Sequence, residues 1–529
     1  MHTDTNPNRQ WNWKNFWICL LLSCGQIAFG YPSSIISTTL AQPSFLLYMK
    51  LVDEKGDSTP HSEGLIGATS GVFQAGAFFG ILLGSWVMDK YGRRVGVVYC
   101  AVLSIVGGTC MAASQNIGMF IAFRFFAGAG SWAFLALTPV YTSELSPPRL
   151  RGLFVGMNGV GICIGYAIAA YMGLAFYSAD NPSAQWRGPL GISLIFPVFM
   201  LLLLFILPES PRWLLMNGYD KEARKIVMDL HRIGDSPEQL YAQEEFYQMK
   251  MQSEHDRALE PSWKEMFIRA SYRKRVILAC AFAFIGQSTA ILVINNYGPT
   301  LYAALGYGTA DQLKLQCAAI MDRLGRRPLM IFGVSACCVC LIIEAAIISI
   351  YASPIPANPN TSALAMGVAA FYIFLAVYSV GIDVCGTVFY SELFPNHIRS
   401  KGCSLAIAAL AITDLVYLQA TTTAFANIGW KFFLVFIIIS GLGAIYLFIY
   451  LPETKGVPLE EMAAKFGDDA DVAVFMSDVH ANHATHELAY HDRHPQGSVQ
   501  SEELPSAPSE EDKPRVSTEE HKKASDTQV

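Results

Sequence analysis

Charge is scarce in this chain: Asp, Glu, Lys and Arg make up 15% of its 529 residues, against about 25% in an ordinary soluble protein. The formal net charge is -6, so there is no basic excess to draw nucleic acid. The sequence also lacks the spacings that carry covalent chemistry. No nucleophile–base set, phosphate loop or metal-ligand pattern occurs, and neither an enzyme nor a cofactor or metal site is expected. Its twelve cysteines fall almost entirely inside apolar runs, without a secreted-framework pattern, and read as small packing residues. The cluster Cys337, Cys338 and Cys340 sits in mid-run and reads the same way. No cleavable signal peptide is expected, because the first apolar run is too long and lacks a small-residue cleavage site.

What is present is apolar sequence, at 52% of residues. It is gathered into runs near the ~20 residues that cross a ~30 Å hydrocarbon layer. Candidate spans are 16–40, 64–88, 95–114, 117–141, 153–177 and 188–207, then 276–302, 329–351, 364–390, 402–426 and 430–451. Gly71, Gly76, Gly80, Gly84, Gly128 and Gly130 would let helix backbones approach where lipid gives no hydrophobic drive. Segments 88–95, 145–152, 208–275, 321–328 and 395–402 are basic, and 208–275 alone holds twelve Lys and Arg. The intervening loops near 115, 180 and 355 hold almost none. Basic loops stay in the cytoplasm, which puts both termini there. Five units follow: a cytoplasmic N-terminus 1–15, a six-helix bundle 16–207, a cytoplasmic helical linker 208–275, a second bundle 276–451, and a cytoplasmic, mostly disordered tail 452–529. His480, His483, His486, His491 and His494 in that tail could bind metal weakly, although a solvated tail is the plainer reading. The sequon Asn360-Thr361-Ser362 lies on an outer loop too short for ready modification.

Three motifs occur twice, in the same order. Asp89-Lys90-Tyr91-Gly92-Arg93-Arg94 is echoed by Asp322-Arg323-Leu324-Gly325-Arg326-Arg327. Ser143-Glu144-Leu145 with Pro147, Arg151 and Gly152 is echoed by Ser391-Glu392-Leu393 with Pro395, Arg399 and Gly402. Pro208-Glu209-Ser210 is echoed by Pro452-Glu453-Thr454. Two like halves, with charges at matched helix ends, are the layout of an alternating-access carrier. Gly92 and Gly325 suit tight turns. Arg93, Arg94, Arg326 and Arg327 meet Glu144, Glu209, Glu392 and Glu453 at one membrane level, where bidentate pairs can hold that side shut. Asp89, Asp322, Arg151, Arg212 and Arg399 complete this candidate gate. The plainer alternative is that the basic loops only set orientation.

The count of spans is uneven, six before the linker and five after it. Between Tyr302 and Asp322 lie about 19 residues, including Asp311, Gln312, Lys314 and Gln316, too polar for a lipid-exposed helix. The first motif pair is offset by 233 residues, the others by 248 and 244. Most of an eighth helix is therefore read as missing or truncated, through an alternative transcript or a misjoined gene model near 316–319.

The motifs closely resemble the sugar-porter branch of the major facilitator superfamily, over about 17–465. Pro208-Glu209-Ser210-Pro211-Arg212-Trp213-Leu214, Pro452-Glu453-Thr454-Lys455-Gly456, Pro139 with Tyr141 and Glu144, and Asn427-Ile428-Gly429-Trp430 carry the likeness. The style of the loops is fungal. The resemblance implies an all-α membrane protein of two six-helix bundles around a central cavity, with substrate at mid-membrane. In the seventh span Gln287 matches a sugar-binding glutamine, and Tyr297 and Pro299 match a tyrosine gate and helix break. Asn295 and Asn296 add amides nearby, and Asn158 and Gln26 are weaker candidates. Amides both donate and accept, as sugar hydroxyls do; interhelical bonding is the plainer role for any one of them. The chain departs from the family at Gly286, Leu292, Gly159, Thr387 and Ala411, where the resemblance implies glutamine, asparagine, glutamine and two tryptophans. Thr387 is kept as a substrate-site candidate. The family's proton-coupled members carry an Asp where Pro32 follows Phe29-Gly30-Tyr31, which leaves Arg124 without its usual partner. Asp383 and Asp414 are other buried acids that could take a proton.

The resulting expectation is transport of a sugar, hexose first, in the plasma membrane, by facilitated diffusion or proton symport. Other sugars, polyols or a polyhydroxylated acid stay open, as does the oligomeric state. A sugar-sensing membrane receptor and an inactive product lacking the eighth helix are the alternatives.

Overall fold

The computed structural model describes residues 11–53, 59, 61–148, 150–232, 239–258, 263–304, 326–352, 361–452, 479–482, 487–491 and 499–503. Among them, eleven helices are long and apolar enough to cross a membrane. Before the linker these are α1 (Trp13–Leu40), α2 (Ser62–Tyr91), α3 (Arg93–Ala112), α4 (Ile117–Leu145), α5 (Arg151–Tyr177) and α6 (Pro182–Leu203). The linker supplies α7 (Pro211–Met216), α8 (Asp220–Leu230) and α9 (Leu240–Ala258). After it come α10 (Ala270–Tyr297), α11 (Pro328–Tyr351), α12 (Ser362–Leu393), α13 (Arg399–Phe425) and α14 (Gly429–Tyr450). The interval 305–325, where the sequence is short of a span, lies outside the described residues. The sixth span sits earlier than its apolar run alone indicates. Pro182 opens it and Asn181 caps it, accepting from the Ser183 N–H, so polar residues form its first turns.

Small residues decide which helices touch. A Cβ on Gly76 would overlap the Phe125 carbonyl, and one on Gly128 would overlap the Phe73 carbonyl, so α2 and α4 meet backbone to backbone. The outward faces stay apolar: Ile438, Leu442, Ile445 and Ile449 recur at helical spacing along α14 and are all exposed, as a lipid-facing stripe requires.

Several spans are interrupted. α1 breaks at Cys24, between Trp13–Ser23 and Gly25–Leu40. α10 breaks after Gln287, where Ala290 takes a left-handed φ of 70° before the helix resumes at Ile291. α12 passes through a π-helical segment, Ser379–Asp383, whose Gly381 lies against Gly333 of α11. Such widened turns are frequent at functional positions.

The linker is folded and has its own small core. Leu214, Leu215, Ala223, Val227, Phe246 and Met249 cluster there, apart from the large core that runs through both halves. The tail, read from sequence as mostly disordered, contributes three short antiparallel strands, β1 (Val479–Asn482), β2 (Glu487–His491) and β3 (Val499–Glu503). Alternation supplies the reason, since Val479 pairs with Tyr490 and Ala481 with Leu488.

Candidate functional site

Polar groups concentrate in two places: a layer at the linker end of the bundle, and the wall of a central cavity.

The layer is built on the turn between α2 and α3. Gly92 has φ 96°, and a Cβ there would run into the Glu209 carboxylate. That close approach lets Glu209 cap α3. Its oxygens accept from the Arg93 N–H at 2.8 Å and the Arg94 N–H at 3.2 Å, where a helix N-terminus favours negative charge. Burial pushes the Glu209 carboxyl above its usual range, with the backbone N–H groups of Ser210, Arg93 and Arg94 working against that rise. The Arg93 guanidinium grips Glu144 through two 2.8 Å bonds, Nε to Oε2 and Nη2 to Oε1. Both side chains are nearly fully buried. Arg94 turns elsewhere and donates to the Leu204 carbonyl at 2.8 Å. The Arg93–Glu144 pair therefore ties α3 to α4 within one half. Asp89 reaches across to the other half, where it accepts from the Ser400 hydroxyl and lies 3.8 Å from Lys401 Nζ. The Arg399 guanidinium, which donates to the Phe394 carbonyl at 3.2 Å, also acts on the Glu144 charge from the other half. Arg212 donates to the Ser143 carbonyl at 3.4 Å. Arg151 and Glu392 are buried in the same layer.

Two histidines that the sequence reading passed over join the linker to this layer. His231 Nδ1 lies 2.7 Å from Glu245 and its Nε2 lies 3.0 Å from the Leu145 carbonyl at the end of α4. His397 lies 3.2 Å from Asp256 of α9 and 3.1 Å from the Tyr272 hydroxyl of α10. Helix α9 is thus bonded toward both halves.

The cavity lies between the halves and encloses about 740 Å³ of unfilled space, counting its open mouth. Rings form much of its wall: Phe29, Trp132 and Tyr166 from the first half, and Phe282, Tyr378 and Tyr390 from the second. Phe29 and Trp132 meet edge to face at 4.9 Å. Gln287 lines it at the α10 break, its Nε2 donating to the Tyr378 hydroxyl at 3.2 Å, while its Oε1 has no partner among the described residues. Asp383 lines it from the π-helical segment.

The other residues expected to contact substrate are placed elsewhere. Gln26 donates to Thr138 Oγ1 at 2.5 Å, and Asn158 to Thr142 Oγ1 at 3.3 Å, so both amides bond helices of the first half. Asn296 turns back on its own helix, donating to the Leu292 carbonyl at 2.9 Å. Asn295 accepts from the Ser34 hydroxyl of α1 at 3.2 Å, a bond between halves. Tyr297 sits at a kink and donates to the Leu418 carbonyl at 3.3 Å. Asp414 is buried with Oδ2 unpartnered among the described residues, and it is not part of the wall. Arg124 is buried with its guanidinium over the Phe73 ring at 4.1 Å, donating to the carbonyls of Thr69 at 3.1 Å and Pro32 at 3.4 Å. Pro299, Arg326, Arg327 and Thr387 lie in helices whose description stops at the backbone, and Asp322 and Glu453 lie outside the described residues.

The family model described as Sugar (and other) transporter matches residues 18–466. The chain belongs to that family. An MFS-type transporter of Aspergillus cristatus, criB, is 31% identical over 471 residues, covering 85% of this chain and 94% of the relative. A probable quinate permease of Neosartorya fischeri is 29% identical over 490 residues, covering 87% and 89%. Among solved structures, the proton:xylose symporter XylE bound to 6-bromo-6-deoxy-D-glucose superposes with a TM-score of 0.73 at 21% identity, over 86% of this chain and all of that one. A partially occluded inward-open form of XylE from E. coli gives 0.67 at 20% identity, over 84% of this chain and all of that one. At these identities the structures speak for the fold alone. This sugar porter is accordingly a multi-pass membrane transporter of small solutes with the major-facilitator fold, and not an enzyme.

The wall rings were missed because periodicity does not separate them from lipid-facing aromatics. Phe29 is 3% exposed and Phe79 is 60% exposed, yet both sit in glycine-rich apolar sequence. Glu344 of α11 was also passed over; it is buried with both carboxylate oxygens unpartnered among the described residues.

Proposed function

We propose that this sugar porter carries a small hydroxylated solute by alternating access, its halves rocking about the central cavity. The observation that carries the reading is the cavity's composition from both halves beneath an ionic layer that also joins them. Asp89, Ser400, Lys401 and Arg399 form the gate between halves in this reading, with Arg93, Glu144 and Glu209 as its rigid frame. Arg151, Arg212 and Glu392 support that frame, and Arg326, Arg327, Asp322 and Glu453 are the matching set of the second half. Tyr297 and Pro299 close the far end. Basic segments gather on the linker side, which makes that side and both termini cytoplasmic; the plasma membrane is the proposed location.

Gln287 supports a hydroxylated substrate, and a hexose remains the sugar to test first, beside quinate. Facilitated diffusion is the preferred mode, because Pro32 offers Arg124 a carbonyl and no titratable group. The test is uptake of radiolabelled hexose and quinate into vesicles, with and without an inward proton gradient. Equilibration without accumulation is expected. Accumulation driven by the gradient overturns uniport in favour of symport through Asp383 or Asp414. A parallel version carrying a full eighth span tests competence: uptake by that version alone assigns the present chain as an inactive form.

A further inference from the structure

The wall of the cavity narrows the chemistry of its ligand. Phe29 and Trp132 face it from one half, and Phe282, Tyr378 and Tyr390 from the other, so aromatic surface bounds the space on both sides. Gly286 and Leu292 also line it and offer no side-chain polar group. Besides the hydroxyl-bearing Tyr166, Tyr378, Tyr390 and Ser391, the wall has two polar atoms that lack partners among the described residues: Gln287 Oε1, an acceptor, and Trp132 Nε1, a donor, on residues 8% and 1% exposed. Among the described residues the wall contains no Lys, Arg or His, and its one charged residue is the acid Asp383. The nearby buried cation, Arg124, is absent from the wall and is committed to two carbonyls and the Phe73 ring.

These features disfavour two classes of solute. A fully hydroxylated sugar presents donors and acceptors on every side, and each one left unpaired on a ring-lined wall is penalised. A carboxylate would enter beside Asp383 with no counter-charge, where a low dielectric magnifies repulsion. A flat ring gains from edge and face contacts with the surrounding aromatics. A hydroxyl or ammonium at its end finds Gln287 Oε1 or the Asp383 carboxylate, and a cation is also drawn to ring faces. We infer that the preferred substrate is an aromatic ring bearing one or two hydrogen-bond donors and no negative charge, held with its polar end toward Gln287 and Asp383. This rests on the transport reading above and specifies the solute for the same cavity.

The test uses three near-isosteric probes that differ in charge at neutral pH: tyrosol (neutral), tyramine (cation) and 4-hydroxyphenylacetate (anion), with D-glucose and quinate alongside. Binding to the purified full chain is read by thermal shift, and flux by proteoliposome uptake. Tyrosol and tyramine are expected to bind about tenfold or more tightly than the other three. In Asp383→Asn the tyramine-to-tyrosol affinity ratio should fall toward one. In Trp132→Leu, which keeps the site apolar, affinity for both ring probes should fall several-fold. D-glucose or quinate binding more tightly than tyrosol, the anion matching tyramine, or no binding by either ring probe each overturns the inference. The expected binding order without flux upholds the ligand class and rejects transport instead.

Discussion

The linker-end layer and the cavity wall are both buried and both contain ionisable groups, yet they are finished differently. In the layer, the Glu144 carboxylate has two guanidinium bonds and Glu209 caps a helix. In the wall, Gln287 and Trp132 carry polar atoms without protein partners among the described residues. Satisfied groups in a low dielectric fix geometry. Unsatisfied ones carry a cost that a ligand can remove. That contrast separates the Arg93–Glu144–Glu209 frame from the cavity wall.

The largest break should come from the finished side. Glu144→Ala takes from buried Arg93 the carboxylate that it bonds twice and leaves it only the more distant Asp89 at 3.9 Å, and losing one member of such a pair costs up to roughly 3–5 kcal/mol. The expected result is a strong fall in thermal stability in lipid-like detergent. The double variant Arg93→Met/Glu144→Leu should recover much of it, because removing both charges removes the desolvation cost as well. If the single variant were as stable as the parent, the layer would not be the rigid frame described here.

A smaller effect is expected from the contact between halves. Asp89→Asn weakens the Ser400 bond and removes the attraction to Lys401, together about 1–1.5 kcal/mol for groups that are partly exposed. That is up to about tenfold in the balance between closed and open forms. Cys403 lines the cavity near this end and is 1% exposed. Its labelling by a membrane-impermeant maleimide from the linker side should quicken by a similar factor, with little loss of stability. Equal labelling rates would move the gate elsewhere.

How far the sequence could be read follows the same division. Arg93, Glu144 and Glu209 were legible because charge at the ends of apolar runs needs partners, and the repeat supplied matched sets. The partition was not: sequence could not tell that Arg93 would take Glu144 while Arg94 turned to the Leu204 carbonyl, since both flank the same turn. The fold was legible in its spans, because hydropathy over some twenty residues is a strong signal. The cavity was only half legible. Gln287 lies in its wall, but Gln26 and Asn158 spend their amides on a neighbouring helix and Asn296 on its own. An intramembrane amide reads the same whether it faces substrate or another helix. The α10 break and the π-helical turn before Val384 orient Gln287 and Asp383 inward, and neither leaves a distinct composition signal.

The subtlest expected effect lies at the rim of the layer, where the linker docks. Both nitrogens of His231 face acceptors, the Glu245 carboxylate and the Leu145 carbonyl, an arrangement best served by the doubly protonated ring. Burial works against that charge and Arg212 adds to the opposition. The Glu245 carboxylate and the two hydrogen bonds outweigh them and raise the imidazole above its ordinary range. A raised pKa in the folded form means that the contribution is complete below the unfolded value of about 6.5 and is lost as pH climbs through the higher folded value. Docking of α8 and α9 should therefore loosen as pH rises from about 6 past that point. Amide exchange in Leu240–Ala258, corrected for its intrinsic pH dependence, should then speed up several-fold. Glu245→Gln should flatten the profile, since a neutral amide leaves no carboxylate to hold the proton. The spans themselves, bonded through Arg93 and Glu144, should show no matching change over the same interval. A pH response that appeared equally in α3 and α9 would mean that the linker and the ionic frame open as one unit.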